Sequence, residues 1–157
     1  MLNDCRTAKE RWGGVSQLID RWLKERQDLI VQYCSLSGMA AITDAESVRK
    51  RLGYLCEILV DYVSAGHFEV YEQLIQEARE FDDGGLELAS RIYPRINAST
   101  EHALAFNDRF DQGDMSEAGR KALYEKLSEL GEVLEERFSL EDLLIESLHN
   151  AHEDQVA

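Results

Sequence analysis

The sequence has one proline, Pro94, in 157 residues, and it contains no long apolar run. Because proline interrupts helices, its scarcity leaves most of the chain free to be helical. No segment approaches the ~20 consecutive apolar residues of a membrane-spanning helix. The polar N-terminus also lacks an apolar signal segment. We therefore expect a soluble, cytoplasmic protein that makes no contact with a membrane.

Cysteine is scarce as well. Cys5, Cys34 and Cys56 are an odd number, and their spacing does not match a metal-binding motif. They predict free, reduced thiols, as is usual in the cytoplasm. A two-metal site in a helical bundle needs two Glu-x-x-His pairs, whereas this sequence offers one, Glu146 with His149. We expect neither a metal nor another cofactor.

The signatures of common catalytic sites are missing. Ser64 precedes His67 by three residues but does not lie in the G-x-S-x-G motif that exposes a nucleophile. Gly13-Gly14 and Gly84-Gly85 lack the rest of a phosphate-binding loop. His67 is most simply interpreted as a helix-end residue bonded to a carboxylate or a backbone group. The sequence therefore predicts a protein that is not an enzyme.

Basic residues are few relative to acidic ones. The chain has 17 Lys and Arg against 31 Asp and Glu, which gives a net charge of −14. This charge excludes a general nucleic-acid binder, whose surface must neutralise phosphates. It favours a basic protein partner and speeds the encounter with it. The same acidity would also arise if it served solubility alone, and composition does not decide between the two.

Apolar residues recur at helical spacing along nearly the whole chain. Asp44 and Ser116 precede two of these segments and can cap them, while Pro94 suits the first turn of another. The predicted helices cover about 15–33, 44–65, 68–81, 86–93, 95–110 and 117–149. We predict an all-α fold, an antiparallel helical bundle of long amphipathic helices with one or two shorter accessory helices. It forms one domain over 1–157, and the tail (His149 onward, including 150–157) is expected to fray.

The connection between the second and third predicted helices contains only residues 64–67. Glycine can end a helix in the left-handed conformation, so Gly66 predicts a sharp joint there. The two helices would meet at an angle or fold back on each other. Such a joint would present a fixed cluster made of Asp61, His67, Phe68 and Tyr71.

A row of residues lies off the core face of the second predicted helix. Tyr54, Ile58 and Asp61 are spaced at i, i+4 and i+7 and share one side of it. Apolar residues off the core face that end in an acid are typical of a protein-binding surface. A second buried side in a multi-helix bundle would give the same pattern, and both interpretations stay open.

Charged residues interrupt two of the apolar faces. Arg26 lies at the centre of the first helix's face, and Glu141 lies at the centre of the last helix's face, with Arg137 close by. A charge in such a position needs a partner or a route to water. We predict that Arg26, Arg137 and Glu141 form a buried polar network inside the bundle.

Four stretches resemble a known protein family: CRTAKERWGG (5–14), LIDRWLKERQDLIVQY (18–33), LVDYVSAGHFEVYEQL (59–74) and LEERFSLEDLLIESLHNAH (134–152). Long literal matches are far more specific than a short motif. The chain is similar, over nearly its whole length, to the Rsd/AlgQ regulators of the bacterial primary sigma factor.

The resemblance implies a helical anti-sigma protein. Such a protein binds the primary sigma factor, mainly the C-terminal domain that reads the promoter −35 element, and limits its use by RNA polymerase. For AlgQ-like members it also implies a positive influence on exopolysaccharide (alginate) and virulence-factor genes through sigma availability. We expect a monomer that makes no direct contact with nucleic acid.

The resemblance also implies where sigma binds. The family's DYxSAGHFxxYE segment, where the sigma contact is expected, corresponds here to Asp61, His67, Phe68 and Tyr71. Asp61 would pair with an Arg or Lys of sigma, and Phe68 would fill an apolar notch beside Tyr54 and Ile58. The family's DRWL segment corresponds to residues 20–22 (Asp20, Arg21 and Trp22), which are either contact or packing residues.

Two other functions stay open from the residues alone. One is a helical adaptor that binds a different signalling protein, such as a phosphocarrier or an alarmone enzyme. The other is a metal-binding four-helix protein.

Overall fold

The computed structural model describes residues 8–41, 44–81 and 83–155. Within these ranges the chain is helical and contains no strand, so the predicted all-α fold is confirmed. The α-helices are α1 (Ala8–Ser37), α2 (Ala45–Ala65), α3 (Tyr71–Phe81), α4 (Gly85–Phe110) and α5 (Glu117–Leu148). A π-helical turn, Gly66–Val70, joins α2 to α3, and a 3₁₀ helix, Asn150–Gln155, follows α5. None of these described helices is long and apolar enough to cross a membrane.

The helices pack around one contiguous apolar core. α1 packs on α2 and α4 packs on α5, while α2 and α3 connect the two pairs through their contacts with α4. The short connections at 38–44 and 111–116 make each pair antiparallel. Buried residues follow one face of α4 at spacings of three and four, namely Gly85, Ala89, Ile92, Ile96, Ser99, Ala103, Phe106 and Phe110.

The two helix starts predicted from capping residues are confirmed. The Asp44 carboxylate accepts a hydrogen bond from the backbone N–H of Glu46, at the start of α2. The Ser116 hydroxyl accepts one from the backbone N–H of Gly119, at the start of α5. Each bond satisfies a donor that has no partner inside the helix.

The sharp joint predicted at Gly66 is wrong. Gly66 has φ −57° and ψ −52°, which is right-handed helix, and the chain continues through the π turn directly into α3. Glycine is needed here because of a close approach. A Cβ at this position would lie 2.9 Å from the Trp22 ring and 3.1 Å from the Tyr71 hydroxyl. The π turn adds a residue to one helical turn. The side chains that follow it therefore point in a different direction around the helix axis, although the helix does not end.

The separate helices predicted at 86–93 and 95–110 are also wrong, because they form the single helix α4 with Pro94 inside it. The buried residues keep their phase across this point, from Ile92 to Ile96. Pro94 is exposed. Water can therefore reach the Ser90 carbonyl, which loses its helical N–H donor to the proline. Packing of the continuous apolar face outweighs the missing hydrogen bond.

The fraying predicted from His149 onward is wrong for the described part of the tail. His149 is 1% exposed and His152 is 0% exposed. The His149 ring stacks on Trp12 with centroids 4.3 Å apart, and the His152 ring stacks on Phe81 at 3.9 Å. These aromatic contacts hold the 3₁₀ helix against the start of α1 and the end of α3.

Candidate functional site

A polar network surrounds the Glu141 carboxylate at the centre of the bundle. Glu141 is fully buried. It accepts hydrogen bonds from the hydroxyls of Tyr62 and Tyr71, each at 2.5 Å. Arg26 Nη2 donates to it at 3.2 Å and Arg137 Nε at 3.1 Å. The structure therefore brings together the three charged residues that interrupt the apolar faces of α1 and α5.

The Arg137 guanidinium is also fully buried, so its N–H groups must find acceptors inside the protein. Nη1 donates to the hydroxyls of Ser99 at 2.9 Å and Thr100 at 2.6 Å. Nη2 donates to the Tyr71 hydroxyl at 2.8 Å. The polar residues on the inner side of α4 thus replace the hydration of this buried cation.

Tyr71 belongs to this network and not to the exposed cluster predicted for it. Its side chain is 2% exposed, which excludes a direct contact with a partner in this conformation. Burial, followed by the negative charge of Glu141, raises the pKa of the Tyr71 hydroxyl well above its usual range. Tyr71 directly follows the π turn in sequence, so its hydrogen bonds anchor that turn to the core.

Four residues, three of them exposed, form a row along α2 and the π turn, and we call them the outer row: Tyr54, Ile58, Asp61 and Phe68. Tyr54 is 44% exposed and Phe68 is 71% exposed. Asp61 is exposed and Ile58 is half-buried. A second buried side is therefore not what this pattern reflects. Two exposed aromatic rings on one helical face are typical of an interaction surface.

The π turn presents Phe68 to solvent on a backbone that is packed against the core. His67 is exposed and meets the Phe68 ring edge-on, with centroids 4.8 Å apart. On the core side of the turn, Gly66 lies close to the Trp22 ring, and this contact holds the backbone of the turn in place. A side chain already held in place loses less conformational entropy when a partner binds.

Negative charge is concentrated at one end of the outer row. Burial, and then the charges of Asp61, Asp28 and Glu69, raise the pKa of Glu25. The Glu25 Oε1 atom is buried and accepts no hydrogen bond from the described part of the chain. We call Glu25, Asp28, Asp61 and Glu69 the acid cluster. Its carboxylates repel one another, so a cation brought between them by a partner would be stabilised.

Positive charge lies at the other end of the same face. Lys50 and Arg51 line a depression between α1 and α2 together with Ser35, Met39 and Tyr54. Both basic side chains are exposed. The face is therefore negative at the Asp61 end and positive at this end, with Tyr54, Ile58 and the exposed Glu57 between them.

The structure separates the roles of residues 20–22. Trp22 is buried, stacks on the Tyr62 ring with centroids 4.9 Å apart, and donates from Nε1 to the Tyr62 carbonyl at 3.2 Å. Trp22 is thus a packing residue. Asp20 and Arg21 are exposed and remain accessible to a partner.

The residues considered for metal binding have other contacts. His149 Nδ1 lies 2.8 Å from a Glu77 oxygen, and Glu146 accepts from the Asn150 side chain. In the part of the chain that the structure describes, no three His, Cys, Asp or Glu side chains converge to hold a metal ion. The thiol of Cys34 is exposed and that of Cys56 is buried, and both are free. Cys5 lies outside the described residues.

Sequence reasoning missed the contribution of α1 to this face. Glu25 and Gln32 each have a buried side-chain oxygen that receives no hydrogen bond within residues 8–41, 44–81 and 83–155. With Asp28 they recur at i, i+3 and i+7, so they share one side of α1. That spacing was visible in the sequence. Its meaning depended on the antiparallel packing that places Glu25 beside Asp61.

The chain is similar to several known regulators over almost its whole length. It is 34% identical over 148 residues to "Regulator of sigma D" of Yersinia pseudotuberculosis serotype O:1b (strain IP 31758), covering 93% of this chain and 88% of that protein. For the protein of the same name from Yersinia enterocolitica serotype O:8 / biotype 1B (strain NCTC 13174 / 8081), the identity is 34% over 148 residues, with 93% and 89% covered. The protein of that name from Enterobacter sp. (strain 638) is 35% identical over 164 positions, covering 100% of this chain and 98% of that protein.

A family model gives the same assignment independently of any single relative. The model described as "Regulator of RNA polymerase sigma(70) subunit, Rsd/AlgQ" matches residues 1–149, which includes all of the outer row and the buried network. The chain belongs to the Rsd/AlgQ family of regulators of the RNA polymerase sigma(70) subunit.

Proposed function

We propose that this protein is an anti-sigma regulator that binds the primary sigma factor through the outer row and limits its use by RNA polymerase. The contact is mainly with the C-terminal domain of sigma, which reads the promoter −35 element. The observation that carries this proposal is Phe68, a 71% exposed aromatic ring on the π turn. It lies on the same helical unit as the exposed Asp61.

The chemistry of the outer row fits a domain that reads DNA. Such a domain carries a basic surface to neutralise phosphates. Asp61 supplies a carboxylate to an Arg or Lys side chain of the sigma domain. Phe68 fills an apolar notch on the same surface of that domain. An aromatic anchor beside a charged pair is a common composition of interface hot spots. The net charge of −14 steers the basic domain towards this face.

Regulation follows from occupancy and requires no chemical step. A sigma domain whose basic surface is covered cannot contact promoter phosphates or the polymerase core with that surface. We infer that the protein acts as a monomer without catalysis, in the cytoplasm where RNA polymerase is found. His67 supports the Phe68 ring, and Tyr71 acts from inside by anchoring the π turn.

The test is calorimetric titration of Phe68→Ala and Asp61→Ala variants with the isolated sigma C-terminal domain. Each substitution is expected to weaken binding by roughly 2 kcal/mol or more, as truncation of a hot-spot residue does. Unfolding midpoints should change little because both side chains are exposed. Matched controls elsewhere are Leu143→Ala, which removes an exposed apolar side chain of α5, and Asp108→Ala, which removes an exposed acid of α4.

Both controls should bind sigma with nearly unchanged affinity. Full-strength binding by a stably folded Phe68→Ala/Asp61→Ala double variant would show that the sigma contact lies on another face. A loss of binding that follows a loss of stability would instead show that the two residues are structural.

A further inference from the structure

The face that contains the outer row has opposite charges at its two ends. Lys50 and Arg51 lie at one end, and Asp61 lies at the other with Glu25 beside it. The rise of 1.5 Å per residue places Arg51 and Asp61 about 15 Å apart along α2. This separation exceeds the Debye length of roughly 8 Å at physiological ionic strength. A docked partner therefore meets two separate local charges and not the average charge of the protein.

We propose that the outer row receives one amphipathic helix of the sigma C-terminal domain in a single orientation. The basic end of that helix lies in the acid cluster, and its acidic end lies against Lys50 and Arg51. This inference rests on the proposed sigma contact and adds its direction. Three helical turns of the partner, about 16 Å, span the face from one charged end to the other.

The hydrogen-bonding state of α1 supports the position of the basic end. Glu25 Oε1 is a buried acceptor that receives no hydrogen bond from the residues that the structure describes. An unsatisfied buried acceptor is destabilising, and a donor supplied by a partner removes that cost. Arg and Lys side chains carry only donors. The acid cluster and the Glu25 oxygen thus select a cationic side chain at this end of the partner helix.

The opposite end selects against a uniformly basic partner. Lys50 and Arg51 are exposed on a protein whose net charge is −14, and each repels a cation placed beside it. An acidic side chain at that end of the partner helix converts both repulsions into attractions. A helix docked in reverse would place like charges together at both ends, so the two ends discriminate against the reversed orientation cooperatively.

The first test measures the affinity of a Lys50→Glu/Arg51→Glu variant for the sigma C-terminal domain by calorimetry in 0.15 M salt. Each substitution changes the net charge by −2, from −14 to −18 in total. If net charge alone governed binding to a basic domain, this variant would bind more tightly. The proposed orientation predicts the opposite, a loss of about tenfold or more, because acidic sigma side chains would face new carboxylates.

The matched control is Arg79→Glu/Lys121→Glu, which makes the same charge change on exposed residues of α3 and α5. It should bind within about twofold of the unaltered protein, since distant surface charges are screened. Equal or tighter binding by the Lys50→Glu/Arg51→Glu variant, with Phe68→Ala still weakened, overturns the orientation and leaves the sigma contact in place. Full-strength binding by Phe68→Ala and Asp61→Ala overturns the contact itself.

A second measurement reads the direction of the helix. Nitroxide labels are attached at Ser47→Cys, near the basic end, or Ser64→Cys, near the acid cluster, with Cys5 and Cys34 replaced by serine. The label at 64 is expected to broaden the amide signals of the Arg- and Lys-bearing end of an isotope-labelled sigma helix. The label at 47 should broaden the signals of its acidic end. The reverse pattern, or equal broadening from both labels, overturns the proposal.

Discussion

Arg26 Nη2 lies 3.2 Å from Glu141 Oε1, although 115 positions separate the two residues in the sequence. Arg26 also donates to Asp142 at 2.5 Å and lies over the Phe138 ring, and its side chain is 12% exposed. It therefore occupies the edge of the buried network. Arg137, in contrast, is fully buried and depends on the same carboxylate for its counter-charge.

Neutralising Glu141 should be strongly destabilising. In a Glu141→Gln variant the Arg137 cation stays buried without an opposite charge, and removal of one partner of a buried pair costs roughly 3–5 kcal/mol. Arg26→Met should cost less, about 1–3 kcal/mol, because its site is partly hydrated and a charged hydrogen bond is worth about that amount. Urea unfolding of the two variants measures both losses.

The double variant tests whether the two side chains interact. Coupling between residues that share a network is typically about 0.5–3 kcal/mol. We expect Arg26→Met/Glu141→Gln to lose less stability than the two single losses added together. Additivity within about 0.5 kcal/mol would show that the observed contact contributes nothing to stability.

Gly66 and Gly53 offer a matched pair within the helix that runs from α2 into the π turn. A Cβ at Gly66 would meet the Trp22 ring at 2.9 Å, whereas a Cβ at Gly53 would meet no atom of the described residues within 4 Å. Gly66→Ala should therefore lose roughly 1–3 kcal/mol through overpacking. Gly53→Ala should gain about 0.5–1 kcal/mol, because alanine is the better helix former. Thermal unfolding compares them, and stabilisation by both would mean that Trp22 moves aside at no cost.

Local chemistry explains which parts of the fold could be predicted from the sequence. The caps at Asp44 and Ser116 depend on residues within one turn, and both are found as expected. The meeting of Arg26 with Glu141 could be inferred because each charge interrupts an apolar face and needs a partner. Neither inference requires knowledge of how the helices are arranged.

The errors arose where tertiary packing overrides local preference. Gly66 was expected to end a helix, but its small size serves the approach to Trp22. Pro94 was expected to start a helix, but the apolar face continues through it. His149 was expected to fray, yet the ring is held by Trp12 and Glu77. In each case the deciding contact comes from another helix, which the local pattern does not contain.

The acid cluster predicts a conflict between stability and binding at Glu25. Burial and three neighbouring carboxylates raise the pKa of Glu25 above its ordinary value of 4.5 in the folded protein. An acid whose pKa is raised by folding destabilises the folded state once it is ionised. Glu25→Gln should therefore stabilise the protein slightly at pH 7, by about 0.5 kcal/mol or less, while it weakens sigma binding.

The pH dependence of this effect gives a second readout. The stability difference between Glu25→Gln and the unaltered protein should be small below pH 4.5, where the carboxyl group is protonated in both states. It should grow as the pH rises through the raised pKa of the folded state. Asp108→Asn, on the exposed side of α4, is the control. If Glu25→Gln were less stable at pH 7, the carboxylate would have a partner that compensates its burial.

Folding shifts the pKa values of two carboxylates near the C-terminal 3₁₀ helix in opposite directions, so their contributions to stability should change oppositely with pH. A hydrogen bond from His152 Nε2, at 2.6 Å, lowers the pKa of Asp83 below its ordinary value of 3.8. Desolvation raises the pKa of Glu77 above its ordinary value of 4.5, although His149 partly opposes this. Each histidine therefore has a neighbouring acid, but only Asp83 is more acidic in the folded state.

The last prediction uses this difference in sign. The stability that Asp83 contributes is present above pH 3.8 and is lost as the pH falls through its lowered folded-state pKa. Asp83→Asn should therefore be less stable than the unaltered protein at pH 6. We expect a difference of about 1 kcal/mol or less, because the Asp83 carboxylate is exposed to water. The two proteins should have the same stability at low pH. For Glu77 the folded state favours the protonated form. The free energy of unfolding of Glu77→Gln, relative to that of the unaltered protein, should therefore increase as the pH rises above 4.5. Chemical unfolding at a series of pH values, followed by far-UV circular dichroism, measures both differences, and parallel curves for the two variants would contradict the opposite pKa shifts.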